Sequence, residues 1–231
     1  MRPVGILGGM GPEATIDLMR RVLAAVPASD DADHVPLIVH QNPQVPSRIA
    51  HLIDGTGEDP GPTLAAMARG LAGAGAQALA MPCNTAHHYA QVIREATNLP
   101  FLDMVALSVA AAQAAATGQG RADVAILCSP ATRIAGVFDP SCRAAGLTPH
   151  YAADDAAMLA AIRAIKTRRN MDQAPATLHA ASKAITTPVQ IIACTEYSLI
   201  ADALSPDVLA IDTLDVLTQA IVAFASGASD G

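Results

Sequence analysis

Aromatic side chains are nearly absent: three Phe, three Tyr and no Trp among 231 residues. An interior with so few rings must be filled by small aliphatic groups, which suits alanine-rich helices lying close on a sheet. Basic residues are also scarce. Fourteen Lys and Arg stand against 21 Asp and Glu, for a formal net charge of -7. Nucleic acid or an anionic membrane surface would need a basic patch, and the one cluster, Lys166 to Arg169, is too small to supply it. Long hydrophobic runs are missing too. The most apolar stretch, residues 104–116, is mostly alanine and contains Ser108 and Gln113, so it reads as a buried helix and not a membrane span. The N-terminal segment does not read as a signal peptide, because glycines and Pro12 interrupt its apolar run. A cytoplasmic location is therefore expected, with the four cysteines reduced. No CxxC and no Cys/His pair has the spacing of a closed zinc site, so no metal is expected.

What is present is a chain that is 52% hydrophobic and 15% charged, which excludes disorder. Short apolar runs lie at 3–7, 36–40, 76–81, 100–104, 123–128, 189–194 and 208–212. Helical patterns lie between them, near 12–26, 63–74, 84–97, 105–117, 132–145, 154–169, 173–186 and 213–226. Strands too apolar to alternate are buried on both faces, as in parallel sheets, and the alternation predicts an α/β fold.

The pattern also repeats. "VGILGGMGPEAT" opens the first half as strand, turn and helix, and "VAILCSPATRIAG" opens the second in the same way. Later in each half an apolar run ends in a cysteine followed within two residues by threonine: "ALAMPCNT" and "QIIACTEY". Two similar α/β subdomains with mainly parallel sheets are expected, 1–103 plus 208–231 and 104–207, with the final helix packing back on the first half. Ligands in open α/β sheets bind beyond the carboxyl ends of the strands. Four such ends carry unusual residues: Gly8 to Gly11, Cys83 to Thr85, Ser129 to Thr132, and Cys194 to Glu196. Facing halves would bring these loops together in a cleft between the subdomains.

Cys83 and Cys194 each sit between an apolar strand and the start of a helix. Unpaired N–H groups and the positive dipole end there favour a thiolate. The bland reading is a buried small residue, which suits Cys128 and Cys142. Two thiols facing each other permit stereochemical inversion, one taking a proton from carbon and the other delivering one to the opposite face. His87, four residues after Cys83, would share its helix face and could orient or acidify the thiol. Asn84 and Thr85 also read as helix caps, and His88 and Tyr89 as surface or packing residues. Gly9-x-Gly11-x-x-Ala14 fits a dinucleotide fingerprint, but the acidic residue expected after the next strand is absent. A glycine turn feeding a helix N-terminus, with Pro12 at its first position, can equally bind a carboxylate. Arg48 and Lys166 read from pattern alone as a solvated loop cation and a helix-end cation.

These residues resemble the cofactor-independent aspartate/glutamate racemase family, in particular its aspartate racemase branch. The resemblance spans nearly the whole chain. It rests on "GILGGMGPEAT", "DADHVP", "NPQVPSR", "MPCNTAH", "SPATRIAG", the helix ending in "IK", and "ACTEY". It implies two α/β subdomains, a homodimer, and racemisation of a small acidic amino acid without pyridoxal phosphate or metal. Cys83 and Cys194 match the two catalytic cysteines. Met10, Asn84, Thr85 and Thr195 match positions that hold the substrate's α-carboxylate and amino group, and Thr132 and Glu196, in the same loops, are also expected to bind the substrate. Arg48 and Lys166 match the pair that binds the acidic substrate and stabilises the carbanion. Some family positions differ: Ser129 stands where threonine is common, Ala193 where glycine is common, and Tyr197 where an aliphatic residue is common. Two other readings stay open, a cysteine-dependent isomerase, lyase or decarboxylase acting on another dicarboxylate, and a non-catalytic binder of acidic metabolites.

Overall fold

A computed structural model describes residues 1–228. In chain order the first part contains β1 (Val4–Gly8), α1 (Pro12–Ala25), β2 (Leu37–Gln41), α2 (Arg48–Leu52), α3 (Gly61–Gly73), β3 (Ala78–Ala80), α4 (Ala90–Ala96) and β4 (Phe101–Leu102). Then follow α5 (Met104–Gly118), β5 (Asp123–Cys128), α6 (Pro130–Ile134), α7 (Asp139–Ala144), β6 (Thr148–Tyr151), α8 (Asp155–Thr167), α9 (Gln173–Ala184), β7 (Val189–Ala193), β8 (Leu209–Asp212) and α10 (Thr213–Ser226). A 3-10 segment, Thr85–Tyr89, and a second stretch of 3-10 turns, Tyr197–Ala203, kinked at Ile200, come directly after the two cysteine turns.

The strands form two four-stranded sheets, ordered β2-β1-β3-β4 and β6-β5-β7-β8. Every pairing is parallel. The two sheets therefore repeat one order, with β5, β6, β7 and β8 in the places of β1, β2, β3 and β4. Burial explains why the inner strands were legible. All five residues of β1 and of β7 are buried, as are all but the first residue of β5. Successive residues alternate between two cores: Val4 and Ile6 join Leu18 and Val22 of α1, while Leu7 joins Leu64 and Met67 of α3. Each sheet is thus covered by helices on both faces, which demands strands apolar throughout.

β6 was not expected from the sequence. Its residues, "TPHY", alternate between exposed and half-buried, and Pro149 sits opposite Val124 on an edge strand. A proline cannot donate to a ladder and is tolerated at such an edge. The helix expected over 132–145 is two short helices. Gly136, at φ +60, ends the first in the left-handed region that closes helices. The helix expected from 84 to 97 begins as the 3-10 segment and becomes α-helical only at Ala90.

The chain divides into two units: Met1–Met104 with the C-terminal helix from Leu214, and Val105–Thr213. The last helix after each sheet is exchanged. α5 follows β4, yet Val105, Val109, Ala112 and Ala116 pack on Val124, Ile126 and Val189 of the second sheet. α10 follows β8, yet Leu214, Leu217, Ile221 and Phe224 pack on Val4, Ile6 and Ala78 of the first. The segment 208–213, assigned from sequence to the first half, instead goes with the second sheet, because β8 pairs along β7 from Val189↔Leu209 to Ile192↔Asp212. No described helix is long and apolar enough to cross a membrane.

Candidate active-site loops

All strands of a sheet point one way, so their carboxyl ends share one edge. The order β2-β1-β3-β4 reverses between β1 and β3, and such reversals open the crevice where α/β sheets bind ligands. In the first unit Gly9, Met10 and Gly11 follow β1, and Pro82, Cys83 and Asn84 follow β3. In the second, Ser129 follows β5, and Cys194, Thr195 and Glu196 follow β7. The two cysteines occupy the same place in equivalent strands.

The glycine turn after β1 has a structural cause. Gly9 has φ +96, and its N–H donates to Thr15 Oγ1 at 3.0 Å. A Cβ there would lie 2.3 Å from the Asn42 carbonyl carbon, so the loop after β2 excludes any side chain. Pro12 occupies the helix start, where its missing N–H costs nothing. Met10 is buried in one cluster with Val45, Cys83 and Tyr89.

Cys83 is 7% exposed, and its N–H donates to the Met81 carbonyl at 2.9 Å. His87 does not address its thiol. Nδ1 of His87 lies 2.8 Å from the Cys83 carbonyl oxygen, and Nε2 accepts the Met104 N–H at 3.1 Å. The second contact requires a bare Nε2, so Nδ1 carries the proton and donates to the carbonyl. Burial lowers the His87 pKa from its ordinary value, despite opposing help from Asp103, and keeps the ring neutral. The sequence expectation of an oriented or acidified thiol is thereby corrected: the ring fixes the backbone of the cysteine turn. A helix-face argument could not separate the two, since both place His87 four residues after Cys83. Asn84 is buried beside it and Thr85 opens the 3-10 segment, but Asn84 makes no side-chain cap. His88 is exposed and Tyr89 buried.

Arg48 begins α2, behind the Ser47 cap. Its Nη1 donates to the carbonyls of Val45 at 3.2 Å and Pro46 at 2.8 Å, which ties the guanidinium to its own loop.

In the second unit, Ser129 caps α6, and its hydroxyl lies 2.9 Å from the buried Thr132 hydroxyl. Cys194 is 6% exposed. Its thiol donates to Glu196 Oε2 at 3.1 Å, and Glu196 Oε1 pairs with Lys166 Nζ at 3.2 Å. Lys166, near the end of α8, thus meets a carboxylate of its own chain, a partner that its helix-end position did not disclose. Burial first, and then the Glu196 charge and hydrogen bond, push the Cys194 thiol well above the ordinary range. Thr195 is buried between the two. Tyr197 is fully buried, and its hydroxyl donates to the Met158 carbonyl of α8 at 2.8 Å. The ring at this unusual position therefore ties the cysteine turn to the helix that carries Lys166. Cys128 and Cys142 lie in the second unit's core, where burial pushes their thiols up to about 12 and about 11.

The family model for Asp/Glu/Hydantoin racemase matches residues 7–221. The chain belongs to this family. It is a racemase by family and hence an isomerase. Solved structures repeat the fold. The aspartate racemase of Picrophilus torridus is 24% identical with a TM-score of 0.85, over 98% of this chain and 95% of that one. An aspartate racemase homologue from Pyrococcus horikoshii is 18% identical with a TM-score of 0.68, over 98% and 100%. The glutamate racemase of Campylobacter jejuni is 17% identical with a TM-score of 0.69, over 100% and 86%.

Proposed function

We propose that this racemase interconverts L- and D-aspartate by proton transfer between two cysteines, without a cofactor, with glutamate as a further substrate to be tested. One observation carries the reading. Cys83 and Cys194 stand at the carboxyl ends of β3 and β7, equivalent strands of two sheets with one strand order. A hydrolase needs one nucleophile and an orienting base, and a binding protein needs no reactive thiol. Inversion at a carbon needs two groups of opposite protonation, one for each face of the substrate.

In this mechanism one thiolate removes the α-proton and the other thiol supplies a proton from the opposite side. The roles exchange with the substrate's hand. Charge then builds on the α-carboxylate. Backbone N–H groups at the Cys83 and Cys194 turns, with Met10, Asn84, Thr85, Thr132 and Thr195, would bind that carboxylate and the amino group. Arg48 would hold the side-chain carboxylate through its planar fork. The family resemblance further suggests a homodimer in the cytoplasm.

The test is incubation of each enantiomer in heavy water, read by chiral chromatography and mass spectrometry. Wild-type protein should incorporate deuterium at Cα in both directions. Cys83→Ser and Cys194→Ser should each lower racemisation by roughly 10²- to 10⁴-fold, the effect of a lost acid or base. Each should retain α-proton exchange of one enantiomer only, opposite in the two variants. Racemisation near the wild-type rate in either variant would remove that cysteine from the mechanism.

A further inference from the structure

The two cysteines have different neighbours. Cys83 lies beside His87, which holds its carbonyl. Cys194 donates its S–H to Glu196, whose second oxygen is paired with Lys166. The Glu196 side chain is 12% exposed, while Lys166 reaches solvent at 46%. The titratable groups that face this thiol are Glu196, Lys166 and Tyr197. The Tyr197 hydroxyl is held neutral by burial and by its bond to Met158, and Cys128, on the neighbouring strand, is held neutral by burial. The charges acting on Cys194 are thus one carboxylate in contact and one ammonium behind it.

A carboxylate beside a thiol acts opposite to the imidazolium of a cysteine protease. It opposes the thiolate and is also the nearest acceptor for the thiol proton. Resting on the two-thiol racemase reading, we propose that Glu196 and Cys194 hold one proton between them, with Lys166 balancing the carboxylate, so that Cys194 rests as the proton donor of the pair. When Cys83 thiolate has taken the α-proton, the Cys194 S–H bond breaks, its electron pair stays on sulfur, and the proton forms the new Cα–H bond. Cys83 then releases the abstracted proton to water and Cys194 regains one from water, which restores the starting state. In the reverse direction Cys83 first takes a proton from water, and the Cys194 S–H proton passes to Glu196 Oε2. The resulting thiolate takes the α-proton, the Cys83 thiol supplies the other face, and Glu196 afterwards releases its proton to water. Glu196 thus acts through Cys194 and sets its protonation state.

This assignment makes a prediction that loss of structure would not imitate. Glu196→Gln keeps the size of the side chain and an oxygen to accept S–H, but it removes the charge and the proton acceptor. Cys194 should become more reactive as a thiolate while racemisation becomes slower. Iodoacetamide labelling of Cys194, followed by mass spectrometry of its peptide across a pH series, should accelerate about tenfold or more at neutral pH. Racemisation should fall by roughly 10²-fold or more. Lys166→Met changes an exposed side chain and removes the balancing positive charge. It should slow the labelling of Cys194, opposite in sign to Glu196→Gln. Labelling unchanged or slowed in Glu196→Gln, or accelerated in Lys166→Met, would overturn the shared proton. The two readings separate cleanly. Opposite labelling shifts in the two variants, with a wild-type protein that does not racemise acidic amino acids, would uphold the shared proton and sink the racemase reading. Racemisation without those shifts would do the reverse.

Discussion

His87 ties the Cys83 turn to the start of α5, and its removal should be costly. The side chain donates to the Cys83 carbonyl at 2.8 Å and accepts the Met104 N–H at 3.1 Å, with the residue 7% exposed. In His87→Ala the Cys83 carbonyl loses its donor while still buried, at about 1–3 kcal/mol, and the bond to Met104 N–H is lost as well. The deleted ring also leaves a space against Phe101, whose ring lies 5.5 Å away. Together with the space left by the ring these losses should reach about 3–6 kcal/mol, measured as a lower urea midpoint by far-UV circular dichroism. His87→Gln keeps an acceptor for Met104 but loses the donor to Cys83, so about 1–3 kcal/mol is expected. The sign of the pH dependence follows from the lowered pKa. Below the ordinary histidine range the unfolded chain binds a proton that the folded ring refuses. Unfolding is then favoured, and this contribution, present above about pH 6.5, is lost as pH falls. The alanine variant should lose that part of the acid sensitivity. A cost below about 1 kcal/mol would refute the two-bond account, and so would an unchanged acid limb.

Two further outcomes follow from the first unit. Gly9→Ala should cost more than about 3 kcal/mol and lower Tm sharply, because φ is +96 and the new Cβ would meet the Asn42 backbone at 2.3 Å; a Tm within a few degrees of wild type would contradict this. Tyr89→Phe should be neutral or stabilising by up to about 1 kcal/mol in urea melts, since the buried Tyr89 hydroxyl has no hydrogen-bond partner among the described residues, whereas a clear loss of stability would show that this hydroxyl is satisfied.

Much of the fold was present in local pattern. The inner strands β1, β5 and β7 are covered on both faces, so burial itself writes continuous apolar runs. The long helices α1, α8 and α9 bury one stripe each, and the repeat of strand, turn and helix marks two similar halves. Cys83 and Cys194 stood out because each ends such a run. β6 lacked this signal, because its four residues, two of them exposed, form no apolar run and include Pro149, which reads against a strand. Tertiary structure alone decided the rest. Local pattern cannot tell which sheet an edge strand joins, so the membership of β8 had to await pairing. Nor can spacing give the direction of a side chain. It set His87 near Cys83 but not the ring on the carbonyl, and it could not join Lys166 of α8 to Glu196 and Cys194, which lie some thirty residues further along the chain. Those partners are chosen by contacts distant in sequence, and such contacts exist only once the sheet has brought its strand ends to one edge.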